Sequence, residues 1–239
     1  MAEKLKARIA FVSCGPATRS HYGSMAPVIP NDVSVEFKGL DLYGNNLYEI
    51  EGKKKLILEK TRDLVETYRW DGVMVTAAPP EVLNPGLLDD LRAALNIPVT
   101  TALNACVAAL RAFSARNVLL LTPFDERLNR MVRAYLDKAG VVAVAPRPFD
   151  NLDDAIKLTP EEVLEHTQKA FRDAGKVDAV YFQGAVLDPI KVLERIEEEL
   201  DTTVVASNPA MLWFMLAKLG LTYHIRDYGK LLDNWPALV

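Results

Sequence analysis

The sequence predicts an α/β protein of two pseudo-symmetric lobes, each a parallel β-sheet flanked by helices, with an active-site cleft between them. Three observations carry this. The strand-like runs, such as GVMVTA (72–77), NVLLLT (117–122) and TVVAS (203–207), are short and almost wholly apolar, as strands covered on both faces must be. They alternate with amphipathic helical segments, the pattern of a parallel sheet. The chain also repeats itself: RIAFVSCGPAT (8–18), WDGVMVTAAPP (70–80) and IPVTTALNACVAAL (97–110) parallel NVLLLTPFDE (117–126), VDAVYFQGAVL (177–187) and TTVVASNPAMLWFML (202–216), in the same order and a little over 100 residues apart.

In chain order, ARIAFVS (7–13) is the first strand. KKKLILEKTRDLVETY (53–68) is a helix, with Ile57, Leu64, Val65 and Tyr68 on its apolar face. Strand 72–77, helix 85–95, strand 97–102 and helix 104–113 complete the first set. Strand 117–122 opens the second. Thr122-Pro123 reads as the N-cap and first position of a helix whose core face is Leu128, Met131, Val132, Tyr135 and Leu136. Thr159-Pro160-Glu161-Glu162 opens another helix by the same logic. Strand 179–183, a helix over 189–200 begun by Asp188-Pro189, strand 203–207 and a helix through Ala217 follow. Residues 1–103 with 221–239 are expected to form one lobe and 104–220 the other.

The 239 residues are half hydrophobic, enough for a large core, and the net charge is −4. There is no basic patch or motif for nucleic acid and no apolar run long enough to span a bilayer. MAEKLKARIAFV lacks a long apolar segment and a cleavage site, so it reads as the lead into a strand. Two cysteines without a spaced framework fit a reduced, cytoplasmic protein. The three histidines show no metal-ligand spacing, and neither metal nor organic cofactor is expected. A homo-oligomer is compatible with this composition.

In such folds, chemistry sits at the C-terminal ends of the strands. Counting six residues from Asp71 and from Asp178 gives Ala77 and Gly184, expected to face each other across the cleft. Small residues at strand-to-helix turns let backbone N–H groups approach an anion, which suits Gly184-Ala185 and Ala77-Ala78. Thr76, Thr122, Gln183, Ser207 and Asn208 add side chains at strand ends. Cys14, ending the first strand, is the thiol candidate. Cys106 reads as core. His21, Tyr22, Tyr43 and Tyr48 lie in loops of the kind that close over sites, where a tyrosine orients a substrate.

These segments resemble the Asp/Glu racemase superfamily, and within it the maleate cis–trans isomerases and arylmalonate decarboxylases. The resemblance rests on LLTPFDERLNRMVRAYLDKAG (120–140), VDAVYFQGAVLDP (177–189), VVASNPAMLWFMLAKLGL (204–221) and DYGKLL (227–232). It implies a thiolate at the positions of Ala77 and Gly184 in the racemases and isomerases, and at the second alone in the decarboxylases. This chain has neither thiol, so neither thiol mechanism is available in its usual form. Phe124 stands where the isomerase pattern has tyrosine. The resemblance implies a cofactor-independent enzyme acting on a small carboxylic acid through an enolate-like intermediate: a decarboxylase, a hydratase or eliminating lyase, or an isomerase. The alternative is a carboxylate binder that has lost the chemistry.

Overall fold

The computed structural model describes residues 4–16, 22–44, 46–149 and 152–238. Among these residues, eight strands form two four-stranded sheets. The first holds β1 (Ala7–Ser13), β2 (Val33–Gly39), β3 (Gly72–Val75) and β4 (Val99–Thr101), in the order β2-β1-β3-β4. The second holds β5 (Asn117–Leu121), β6 (Val142–Val144), β7 (Ala179–Phe182) and β8 (Thr203–Ala206), in the order β6-β5-β7-β8. All pairings are parallel, and the two orders are the same topology written twice.

The repeat extends to single hydrogen bonds. Asp71 and Asp178 precede the central strands β3 and β7. The Asp71 carboxylate accepts from the Arg8 backbone N–H at 2.7 Å, and that of Asp178 accepts from Arg116 and Asn117 at 2.9 and 2.8 Å. At the other ends of these strands, the Thr76 N–H donates to Val12 and that of Gln183 to Leu121, both at 2.9 Å. The Asn117 and Arg116 N–H groups hold the Asp178 carboxyl below its ordinary range. A carboxylate lowered in the folded state adds stability above its unfolded pKa, and that stability is lost as pH falls through the folded value. Asp178→Ala is therefore expected to lower stability modestly at neutral pH. The deficit should shrink in acid, as chemical denaturation at two pH values would check.

The helices are α1 (Lys54–Tyr68), α2 (Pro79–Val82), α3 (Leu87–Ala94), α4 (Ala102–Ala112), α5 (Glu126–Lys138), α6 (Leu152–Ile156), α7 (Pro160–Ala174), α8 (Leu193–Glu199), α9 (Ser207–Lys218) and α10 (Lys230–Asn234). Two 3₁₀ turns, Gly23–Val28 and Leu47–Ile50, lie in the first half. Helices α4 and α9 pack on each other along the seam between the sheets. They are almost wholly buried, and Trp213 at the centre of α9 is fully so. The C-terminal segment reaches both halves. The Tyr223 hydroxyl donates to Asp32 at 2.9 Å, while the Lys230 backbone N–H donates to the buried Glu197 at 2.7 Å.

Several expectations are corrected. Helix α5 starts at Glu126, not after Thr122. Its N-cap is Asp125, which accepts from the Leu128 N–H at 2.9 Å, while the Thr122 hydroxyl accepts from the Phe124 N–H and pairs with Asn129. Helix α8 starts at Leu193, because Asp188 turns back to the Ile190 N–H and closes a local turn. Thr159 is the expected N-cap of α7, and it closes a capping box with Glu162 that was not foreseen. The strands β2 and β6, both sheet edges, carry no matching signal in the sequence.

Candidate functional site

The C-terminal ends of β1, β3, β5 and β7 open onto one cavity of about 660 Å³, larger than the clefts of about 430, 370 and 420 Å³ found elsewhere. Ser13 enters from β1, Thr76 and Ala77 from β3, Pro123 and Phe124 from β5, and Gly184 to Val186 from β7. Tyr22, Tyr43 and Leu47 close it from the first-half loops, and Leu152 and Ile156 of α6 from the second. A cavity at strand ends, bounded by both halves of a repeated fold, is where a small ligand belongs.

Ala77 and Gly184 both line it, and both have left-handed backbones, with φ of +63° and +116°. Glycine is favoured at 184. A Cβ there would lie 2.9 Å from Pro123 Cδ, in a conformation that L-residues rarely adopt. The Gly184 N–H is turned to the Ser207 hydroxyl at 3.4 Å, so the expected free donor at this residue is replaced by the next one. Among the described residues no acceptor takes the N–H of Ala77, Ala185 or Val186, all of which line the cavity.

Of the residues expected from sequence, Tyr22, Tyr43, Thr76, Ala77, Phe124, Gly184 and Ala185 reach the cavity. The others lie behind or beside it. Ala78 and Gln183 are fully buried. Gln183 accepts from the Tyr181 hydroxyl, which points it into the seam. Thr122 braces Phe124 from behind. Ser207 and Asn208 are the buried first turn of α9 rather than a strand end at the cavity, because β8 stops at Ala206. Cys14 is packed in the core at 2% exposure, and burial pushes its thiol up to about 12, which keeps it neutral. Cys106 is core, as expected. The Tyr48 hydroxyl is committed to the Asp125 carboxylate at 2.6 Å, beneath the Arg127 guanidinium. Arg127 in turn reaches Glu51 at 2.7 Å, making a clasp across the two halves beside the cavity mouth. His21 lies outside the described residues.

Leu47, Leu152 and Ile156 were not singled out by sequence. Leu47 and the α6 pair are isolated apolar residues in polar stretches, a signal that is weak until the fold bends those stretches over the strand ends. The described lining holds no carboxyl, imidazole, thiol or amine. Its polar side chains are the hydroxyls of Ser13, Tyr22, Tyr43 and Thr76. Tyr22 and Thr76 bond each other at 3.0 Å. Burial pushes the Tyr22 phenol up to about 12, against the lowering effect of Thr76, and raises that of Tyr43 as well. Among the described residues, no group of three His, Cys, Asp or Glu side chains is placed to hold a metal ion, and no helix is long and apolar enough to cross a membrane.

A family model described as arylmalonate decarboxylase matches residues 81–232. The chain is 28% identical over 144 residues to a maleate isomerase of Alcaligenes faecalis, covering 59% of this chain and 56% of that protein. It is 26% identical over 154 residues to an arylmalonate decarboxylase of Bordetella bronchiseptica, covering 63% and 64%. These matches thus span less than two thirds of the curated relatives' length. The structure of unliganded arylmalonate decarboxylase superimposes with a TM-score of 0.80 at 21% identity, covering 95% of this chain and 99% of that one.

Proposed function

The chain belongs to the arylmalonate decarboxylase family, and we propose that it is a cofactor-independent enzyme that acts on a small carboxylic acid through an enolate-like intermediate. The observation that supports this most is the pair of left-handed turns at Ala77 and Gly184, which bring to one cavity, from both halves, N–H groups of Ala77, Ala185 and Val186 that have no acceptor among the described residues. Decarboxylation asks least of such a site. The bond to the departing carboxylate breaks, its electron pair stays on the α carbon, and the charge spreads into the remaining carboxylate. The N–H groups of Ala77, Ala185 and Val186 and the Thr76 hydroxyl then receive that charge. The apolar wall of Pro16, Leu47, Phe124 and Val186 excludes water from the departing group. Hydration, elimination and isomerisation pass through the same kind of intermediate. A racemase needs two opposed acid–base groups, and the described lining holds no carboxyl, imidazole, thiol or amine to form such a pair.

Cys14 is packing in this reading, and Tyr48 holds the clasp rather than the substrate. The second reading, a carboxylate binder without chemistry, draws on the same lack of ionisable groups. A thermal-shift series with substituted malonates, maleate and amino diacids, followed by product analysis, separates the two. The proposal expects stabilisation and turnover by at least one acid. Stabilisation without turnover would replace it by the binder, and no stabilisation by any of them would overturn both.

A further inference from the structure

An enolate-like intermediate must regain a proton at carbon, and among the described residues the cavity lining has no thiol, carboxyl, imidazole or amine to give one. The choice falls among four hydroxyls, and an aliphatic alcohol is a far weaker acid than a phenol. Of the two phenols, Tyr22 is the better placed. It is buried at 6% exposure, and its ring is fixed by stacking on Phe37 at 4.6 Å and by Phe11 at 5.9 Å. Its hydroxyl meets Thr76, one residue before Ala77 and among the donors that receive the developing charge. The Ser13 hydroxyl lies beside both phenols, and the less buried Tyr43 leads from it toward solvent.

We propose that Tyr22 is the proton donor of the reaction, delivering its hydroxyl proton to the α carbon from the first-half wall of the cavity. This rests on the functional reading above. The step balances without an oxidant or co-reactant. Carbon dioxide leaves without the bonding pair, the pair on carbon takes the Tyr22 proton to form the C–H bond, and a phenolate remains. The phenolate is reprotonated from water along Ser13 and Tyr43. A phenol that burial keeps protonated holds its proton until the carbanion, a much stronger base, forms beside it.

Tyr22→Phe keeps the ring stacked on Phe37 and Phe11 but leaves the Thr76 hydroxyl without this partner, so the variant should fold and melt somewhat below the parent. With whichever acid the parent turns over, the variant should bind with unchanged affinity while kcat falls by about 100-fold or more, the usual share of a general acid. Tyr43→Phe should lose less. A residue that served only to pack the cavity would instead change affinity. Full turnover in Tyr22→Phe would overturn the assignment and leave the functional reading intact. A parent chain that turns over no acid would overturn the functional reading and this inference with it.

Discussion

Gly184→Leu should abolish carboxylate binding. Leucine at 184 must adopt a φ of +116°, and its Cβ must enter space where Pro123 Cδ would be 2.9 Å away. Either the turn shifts and carries Ala185 and Val186 with it, or the side chain fills the cavity. In both cases the donors on this wall lose their aim. Losing one such donor costs about 2.7–4 kcal/mol of transition-state stabilisation in oxyanion sites, so turnover should fall by at least 100-fold. The structure adds a penalty, because strained backbone conformations cost on the order of 1–3 kcal/mol. A lowered melting temperature together with lost ligand-induced stabilisation would bear this out. Unchanged ligand affinity would mean that the turn only ends a strand.

Glu81→Ala is expected to be the most damaging change outside the cavity. Glu81 is buried in α2, directly after the Ala77-Ala78 turn. Its carboxyl accepts from the Thr101 hydroxyl and sits beside Tyr135 of α5, so it ties the site's turn to both halves. Alanine would strand these buried hydroxyls at about 1–3 kcal/mol each. Burial pushes the carboxyl above its ordinary range, against the lowering effect of the Thr101 and Tyr135 hydroxyls. A group raised in this way contributes stability that is fully present below its unfolded value of 4.5 and is lost as pH rises through the folded value. Glu81→Gln, a mimic of the protonated acid, should therefore keep most of the stability and flatten its pH dependence, whereas Glu81→Ala should unfold at markedly lower denaturant at every pH.

The sequence revealed what depends on burial and repetition. The central strands are apolar throughout and the two halves share a pattern, so the parallel sheets, the equivalence of Ala77 with Gly184, and their place at strand ends were all legible. The edges were not. In β2, Glu36 and Lys38 break the apolar run, and β6 is three residues long with two exposed valines. Local capping misled at Thr122, where a hydroxyl and a following proline look like a helix start. Asp125, placed three residues before Leu128, competes better for that N–H, and Asn129 takes up the threonine. Cys14 lies outside the cavity lining for a related reason. Ending a strand does not decide which face a side chain takes, and Cys14 faces the core. The hydroxyl set of Ser13, Tyr22, Tyr43 and Thr76 is assembled from four separate segments, so no local pattern announces it.

The central claim is that this cavity performs carbanion chemistry on a carboxylic acid without a thiol. Proton NMR in D₂O, following substituted malonates incubated with the Cys14→Ala/Cys106→Ala double variant, tests it most directly. The account predicts a monocarboxylic product with deuterium at the α carbon, formed at a rate comparable to the parent chain. Product formation by the parent and none by the folded double variant would contradict it, and would return the chemistry to sulfur.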